Sequence, residues 1–147
     1  MKVFLICLLL VAYTQATSEP EHRCDRAKVQ TECFEENGWS VDERNSILKE
    51  KIYPVGNERV NDLVLCIWRK LDLIDENDAI DLSQVRVTIP TSIQHANPSI
   101  SKNEAVELAN QAVDECNKKG VTTGNSLGQN CVLLLNCLVQ YVADRQN

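Results

Sequence analysis

The sequence predicts an all-α protein of about six helices, joined by disulfide bonds into a compact bundle around an apolar cavity. Apolar residues recur at helical spacing along most of the chain, and serine-led capping sequences precede several of these stretches. Six cysteines remain once an N-terminal apolar segment is set aside, and an even number in a short secreted chain is typical of disulfide-bonded folds. The predicted helices span residues 21–36, 41–52, 58–71, 80–88, 101–119 and 126–144.

A leader sequence precedes this domain. Lys2 supplies a positive charge, residues 3–12 form an apolar run, and small or polar residues follow as far as Ala16. This order is typical of a secretory signal peptide, and the run is shorter than the roughly 20 apolar residues that span a bilayer. We therefore predict a signal peptide over residues 1–16 and one secreted, extracellular helical domain over residues 17–147.

Turn and capping signals place the first three helices. The first helix ends at the turn sequence Asn37-Gly38, and Ser40 with Glu43 fits a capping box that begins the second. A turn at residues 54–56 separates the second helix from the third. The third helix carries an apolar stripe at i, i+3, i+4 and i+7 spacing, formed by Val60, Leu63, Val64, Ile67 and Leu71.

The fourth helix is the least distinct. Residues 85–89 alternate as a strand does, yet they fit the end of a short helix equally well, and we predict a helix that stops before Pro90. Residues 89–101 are then the longest irregular segment. Capping boxes at Ser101 and Ser126 begin the last two helices, and the sixth is apolar on most faces, as expected of a helix buried by its neighbours.

Helix geometry prevents two cysteine pairs from closing locally. A disulfide bond needs Cα atoms about 4.4–6.8 Å apart. Cys131 and Cys137 are about 9 Å apart along one predicted helix, and Cys24 and Cys33 are roughly 13–14 Å apart along another. The bonds must therefore join different helices.

Catalytic patterns are poorly supported. A triad or cysteine–histidine mechanism would have to use His22 or His95, and we interpret both as solvent-facing. Residues 124–128 fit the G-x-S-x-G pattern of hydrolases, but no predicted strand precedes Ser126 and no histidine follows it. A helix N-cap explains Ser126 better, so we expect a protein that is not an enzyme.

Charge and ligand spacing argue against nucleic acid and metal. The 15 basic and 21 acidic residues give a net charge of −6, whereas nucleic-acid binding needs a basic surface. The acidic run from Asp72 to Asp81 suggests a calcium loop, but an EF-hand counted from Asp75 would place Ile80 at its glycine and Arg86 at its glutamate. We interpret the run as a solvated loop and predict no metal and no cofactor.

Five segments resemble insect odorant-binding proteins. Residues 33–40 resemble the region of the first cysteine in that family, where a helix ends at a glycine turn and a serine-capped helix follows. Residues 66–75 resemble the region after the third cysteine, and residues 81–85 resemble the start of the fourth helix. Residues 113–116 and 136–141 resemble the regions of the fourth and sixth cysteines. The resemblance spans nearly the whole mature chain and implies a small helical carrier.

The cysteine pattern departs from the usual one in that family. The usual second and fifth cysteines would fall on Asp62 and Gly128, so the pattern is similar to the minus-C branch, but Cys24 and Cys131 are additional. By exclusion these two form a relocated third bond; the alternative is a pair of free or intermolecular thiols. The predicted bonds are Cys33–Cys66 and Cys116–Cys137, which the resemblance implies, and Cys24–Cys131.

Ligand binding is the function that these observations favour. Apolar helical faces around a dry cavity would bind odorants, pheromones, fatty acids or similar small hydrophobic ligands. Tyr141 would be the polar handle and Trp68 a fluorescent reporter, although ordinary core packing explains each position about as well. The predicted wall residues are Ile52, Val64, Ile67, Trp68, Val106, Val113, Leu134, Leu138 and Tyr141.

Other interpretations use the same scaffold or a related one. The chain would suit a secreted salivary, venom or seminal interaction protein, which the tissue of expression and ligand titration would distinguish from a carrier. A saposin-like membrane-active protein is a third possibility, although such domains are shorter and have a different cysteine order. For the carrier we expect no nucleic acid and no stable membrane insertion, with an olfactory receptor or a homodimer as further possible partners.

Overall fold

The fold is all-α, as predicted. The computed structural model describes residues 20–146, with side chains from Arg26 onward, so the predicted signal peptide lies outside the described residues. Across this range the chain forms six helices: α1 (Pro20–Glu36), α2 (Val41–Ile47), α3 (Glu58–Lys70), α4 (Leu82–Ala96), α5 (Lys102–Lys118) and α6 (Leu127–Arg145).

Serine caps begin three of the helices. Ser40 accepts from the Glu43 amide and donates its own amide to the Glu43 carboxylate at 2.7 Å, which completes the predicted capping box and lowers the pKa of Glu43. Ser101 forms the second predicted box on α5. Ser126 caps α6, but the side chain of Gln129 accepts from the Asn125 amide instead of from Ser126. The third box is therefore only half formed.

Helix α2 is shorter than predicted. It ends at Ile47, a buried residue, whereas the sequence interpretation extended it to Ile52. The following segment leads to Pro54, which disfavours helical backbone at Tyr53, the residue before it. Asn136 of α6 then holds this segment with two hydrogen bonds, because it accepts from the Tyr53 amide at 2.9 Å and donates to the Tyr53 carbonyl at 2.9 Å. Tertiary contacts therefore hold this non-helical segment of turns and bends against α6.

Helix α4 is longer than predicted. It continues through Pro90 to Ala96, so the predicted stop at the proline and the irregular segment from residue 89 are both wrong. A proline inside a helix costs about 3 kcal/mol relative to alanine. Burial of Ile89 and Ile93 offsets that cost, since they continue the i, i+4 spacing of Val85. Helix α4 packs closely along α5, where Arg86 donates to the Asn110 carbonyl at 3.1 Å.

Helix α6 lies at the centre of the bundle. It packs against both α3 and α5, while α1 packs against α3. Gly128 in the first turn of α6 lies against the backbone of Asn61 on α3, where a Cβ atom would come within 2.8 Å of the Asn61 carbonyl oxygen. Glycine therefore permits a helix crossing that any side chain would push apart.

Substitution of this glycine tests the crossing. We expect Gly128→Ala to lower the free energy of unfolding by about 1–3 kcal/mol, because the added methyl group overpacks a backbone contact that cannot move locally. This outcome opposes helix propensity, which favours alanine over glycine by about 1 kcal/mol. Urea denaturation measures the difference.

Gly124→Ala is the matched control. Its added methyl group would meet only the side chain of Gln129, which is flexible, so we expect a smaller loss of stability than for Gly128→Ala. Equal stability of Gly128→Ala and the unsubstituted protein would contradict the close crossing.

Candidate functional site

Two disulfide bonds join helix pairs within the described part of the chain. Cys33 of α1 is bonded to Cys66 of α3 with Cα atoms 5.8 Å apart, and Cys116 of α5 is bonded to Cys137 of α6 with Cα atoms 6.0 Å apart. These are the two pairings that the family resemblance implies. Both separations lie in the normal range for such bonds. The bonds fix two helix pairs around the interior.

The predicted Cys24–Cys131 bond is not formed in this structure. Cys131 is a free thiol with no exposed surface, while the side chain of Cys24 lies outside the described residues. Cys131 lies inside the core on α6, whereas α1 packs chiefly against α3, so a bond would require the start of α1 to reach the interior. Burial raises the pKa of the Cys131 thiol to about 12.

Six of the nine predicted wall residues share one buried apolar core. Each of the six has less than 5% of its surface exposed. They come from three helices that pack in series, because α6 lies against both α3 and α5. The six are Val64, Ile67 and Trp68 on α3, Val113 on α5, and Leu134 and Leu138 on α6.

The other three predicted wall residues lie at the surface or at the edge of the core. Ile52 and Val106 are each 39% exposed, so their prediction as interior wall residues is wrong. Ile52 follows the early end of α2, and Val106 lies on the outer side of α5 while Ala105 faces inward. Tyr141 is half-buried, with the guanidinium of Arg145 over its ring at 3.4 Å.

Tyr141 also lines a surface recess. The recess has a volume of about 190 Å³. Its other walls carry charged side chains, including Glu115 of α5, Lys119 directly after α5 and Asp144 of α6. Its lining is mixed polar and apolar and partly open to solvent, which differs from the apolar interior that the sequence interpretation assigned to this tyrosine. Tyr141 therefore does not join the six buried residues as an interior polar handle.

Trp68 brings an unpartnered donor into the core. The residue is 1% exposed, and its indole Nε1 has no hydrogen-bond acceptor among the described residues. A buried donor left without an acceptor costs about 1–3 kcal/mol. An oxygen atom of a ligand at this position would recover much of that cost. The sequence interpretation identified Trp68 as a wall residue and reporter but missed this role as a donor.

A polar contact between α1 and α4 was also missed. Arg26 is half-buried, and its guanidinium donates from Nη1 to the Ser92 hydroxyl at 2.9 Å and from Nη2 to the Thr88 carbonyl at 3.1 Å. Burial lowers the pKa of Arg26. Ser92 is 2% exposed and lies on the part of α4 that the proline signal excluded from the predicted helix. The buried i, i+4 series of Val85, Ile89 and Ile93 could have extended the predicted helix past Pro90 to include Ser92.

The acidic groups near the first disulfide bond form surface ion pairs. Lys70 lies 2.6 Å from the Glu36 carboxylate and 3.0 Å from that of Glu32, and these two partners raise the pKa of Lys70. Glu36 also lies beside Cys33 and Cys66 in a group with the spacing of metal ligands. Those two sulfur atoms are bonded to each other, so they are not available as thiolate ligands.

The acidic segment after α3 is an ordered turn. The Asp75 carboxylate accepts from the amides of Asn77 and Ala79, and Ile74 pairs with Ile80 through a short antiparallel bridge. The Asp75 carboxylate therefore stabilises the turn through these backbone hydrogen bonds. This geometry agrees with the interpretation as a loop, which is more ordered than the sequence indicated.

These features define a small helical protein with interhelical disulfide bonds and an apolar core containing an unsatisfied donor. A family model described as the PBP/GOBP family matches residues 15–141, and the chain belongs to this family, the insect odorant-binding family. Comparison with curated proteins and with solved structures gave no match.

Membership gives the general class of function. Proteins of this family are secreted binding proteins that carry small odorants or pheromones, and they are not enzymes. Among the helices described here, none is both long and apolar enough to cross a membrane.

The buried thiol of Cys131 gives a chemical test of the site. We expect iodoacetamide at mildly alkaline pH to leave Cys131 unmodified in the folded protein, because it has no exposed surface and a pKa of about 12. Unfolding in guanidinium chloride without a reductant should allow alkylation. Mass spectrometry of the peptide that contains Cys131 measures both states.

Two results would contradict this description. Alkylation in the folded protein would mean that the thiol is accessible. Protection in the unfolded, unreduced protein would mean that Cys131 is in a disulfide bond, as the sequence interpretation predicted.

Proposed function

We propose that this protein is a secreted carrier that holds small hydrophobic ligands, such as odorants, pheromones or fatty acids, among the buried side chains of α3, α5 and α6. Membership of the odorant-binding family supports carriage of a small ligand in general. The ligand lies between the side chains of the six buried wall residues, five of which are aliphatic and one of which is Trp68. We propose that these side chains move apart to make room for the ligand.

The single observation that carries the proposal is the Trp68 N–H, which has no acceptor among the described residues and lies inside a largely apolar core. Aliphatic surroundings such as Val64, Val113 and Leu134 favour a hydrocarbon chain, since each buried CH₂ contributes about 0.8 kcal/mol. The indole N–H then favours a ligand that ends in an oxygen acceptor. A ligand of about ten carbons would bind in the micromolar range after the costs of ordering.

Displacement of a fluorescent apolar probe tests carriage. We expect saturable binding of N-phenylnaphthylamine and its displacement by dodecanol. The chain has two tryptophans, so Trp39→Phe leaves Trp68 as the only tryptophan. Its fluorescence, excited selectively over that of the tyrosines, should change as ligand binds. Absence of saturable binding together with unchanged Trp68 emission would overturn the proposal.

The role of the indole N–H has its own test. Trp68→Phe keeps an aromatic ring but removes the donor, so we expect dodecanol to bind about 2- to 10-fold more weakly, the effect of one hydrogen bond. Dodecene, which lacks the oxygen atom, should bind with unchanged affinity. Titration against the same probe measures both ligands.

Trp39→Phe is the matched control for this test. The indole Nε1 of Trp39 is also buried without an acceptor among the described residues, but its ring packs on Phe34 at the turn between α1 and α2. Neither ligand should respond to this substitution. Equal losses for dodecanol and dodecene in Trp68→Phe would show that the ring contributes shape and not a hydrogen bond.

A further inference from the structure

We propose that Arg26, positioned by Ser92, binds the carboxylate head group of a long-chain acid, so that ionised fatty acids are a preferred ligand class of this carrier. This inference rests on the proposed function, because the apolar chain of the acid must lie in the interior. It assigns a role to the contact between α1 and α4, which the buried wall residues leave unexplained.

Toward the side chains described from residue 26 onward, the hydrogen bonds of Arg26 leave donors available. A guanidinium group has five N–H donors in a planar fork. The structure uses one for the Ser92 hydroxyl at 2.9 Å and one for the Thr88 carbonyl at 3.1 Å. Both acceptors are neutral and both belong to α4, so they orient the group without neutralising its charge. A carboxylate can accept two parallel hydrogen bonds from the donors that remain.

Arg26 also differs from other arginines in its charged surroundings. Among the side chains described from residue 26 onward, no carboxylate lies within ion-pair distance of it, whereas Arg59, Arg69 and Arg86 each contact one. Arg44 is half-buried as well, but it lies over the ring of Phe34. A half-buried cation with neutral partners alone is costly, and a bound anion would remove that cost.

The position of the guanidinium suits an amphipathic ligand. Ser92 is 2% exposed and lies beside Ile93, which is fully buried, while Ile89 is one turn earlier on α4. Val29 on α1, next to Arg26 along the helix, packs against the same core. The charged group therefore lies at the boundary between solvent and the apolar interior. A carboxylate held there would direct an alkyl chain inward.

The negative net charge of the chain helps to distinguish specific from non-specific binding of acids. The chain carries a net charge of −6, which repels anions in general. Preference for the ionised over the neutral head group must then come from a specific local cation. This distinguishes the proposal from non-specific adsorption of a fatty acid on the protein surface.

The test compares dodecanoate with dodecanol, which have equal chain length and differ in the head group. Both displace N-phenylnaphthylamine from the full chain at mildly alkaline pH, where the acid is ionised. We expect Arg26→Met to weaken dodecanoate about 10-fold or more, as expected for loss of charge-assisted hydrogen bonds, and to change dodecanol by less than about 2-fold. Arg86→Met is the matched control, because this α4 arginine is paired with Asp114.

Arg26→Lys keeps the proposal testable if Arg26→Met does not fold. Lysine retains the charge but loses the planar fork, so dodecanoate should weaken by about 3- to 5-fold while dodecanol is unaffected. A circular-dichroism melting curve for each variant establishes folding.

The outcomes separate this proposal from the proposed function. Equal weakening of both ligands, or of neither, would overturn the head-group role, and Arg26 would then only link α1 to α4. Binding of dodecanol without dodecanoate by the unsubstituted protein would overturn it too, while the carrier function stands. Binding of neither ligand would overturn both.

Discussion

Helix α6 is held between α3 and α5, and the arrangement of the interior depends on how it is fixed there. At its start, Gly128 allows the backbone of Asn61 to approach more closely than any side chain would permit. Further along, the bond from Cys137 to Cys116 fixes its distance from α5. Asn136, the residue before Cys137, holds the segment after α2 through two hydrogen bonds to the backbone of Tyr53. One helix thereby sets the positions of three neighbouring elements.

The family resemblance gives this crossing a further meaning. It places the usual second and fifth cysteines on Asp62 and Gly128, and the structure brings Gly128 against Asn61, the residue next to Asp62. In the alignment that the resemblance implies, a close backbone approach would occupy the place where the family pattern has two cysteines. A disulfide bond stabilises chiefly by restricting the unfolded chain, whereas a close contact acts in the folded state alone. The crossing consequently depends on exact packing at one glycine.

Much of the fold follows from local signals in the sequence. Residues such as Ser40 and Ser101 mark helix starts because their side chains satisfy amide groups that have no partner in the first turn. Pro90 wrongly indicates the end of a helix. Its free-energy cost inside α4 is outweighed by the burial of Ile89 and Ile93. Propensity describes one residue, and tertiary packing decides between competing conformations.

The candidate site was predictable only in part. An apolar stripe identifies the buried faces of α3 and α6, which is why Val64 and Leu138 were found. Val106 has the same apolar character as these residues. It is one position after the buried Ala105, and this step around the helix places its side chain on the outer face. Arg26 carried no signal at all, because a half-buried arginine is defined by the hydrogen-bond acceptors on another helix. A contact between residues on two different helices cannot be inferred from the local sequence around either one.

The two groups proposed to bind a ligand oxygen lie at different depths of the protein. Trp68 is at the core of α3, while Arg26 lies at its boundary between α1 and α4. Screening limits the help that distant acidic residues give to Arg26, since exposed charges interact over about 8–10 Å at physiological salt. A bound carboxylate would join α1 to α4 through the ligand, and binding to the folded state alone stabilises it by mass action. Occupancy of the carrier and docking of α1 onto α4 would thus be thermodynamically linked.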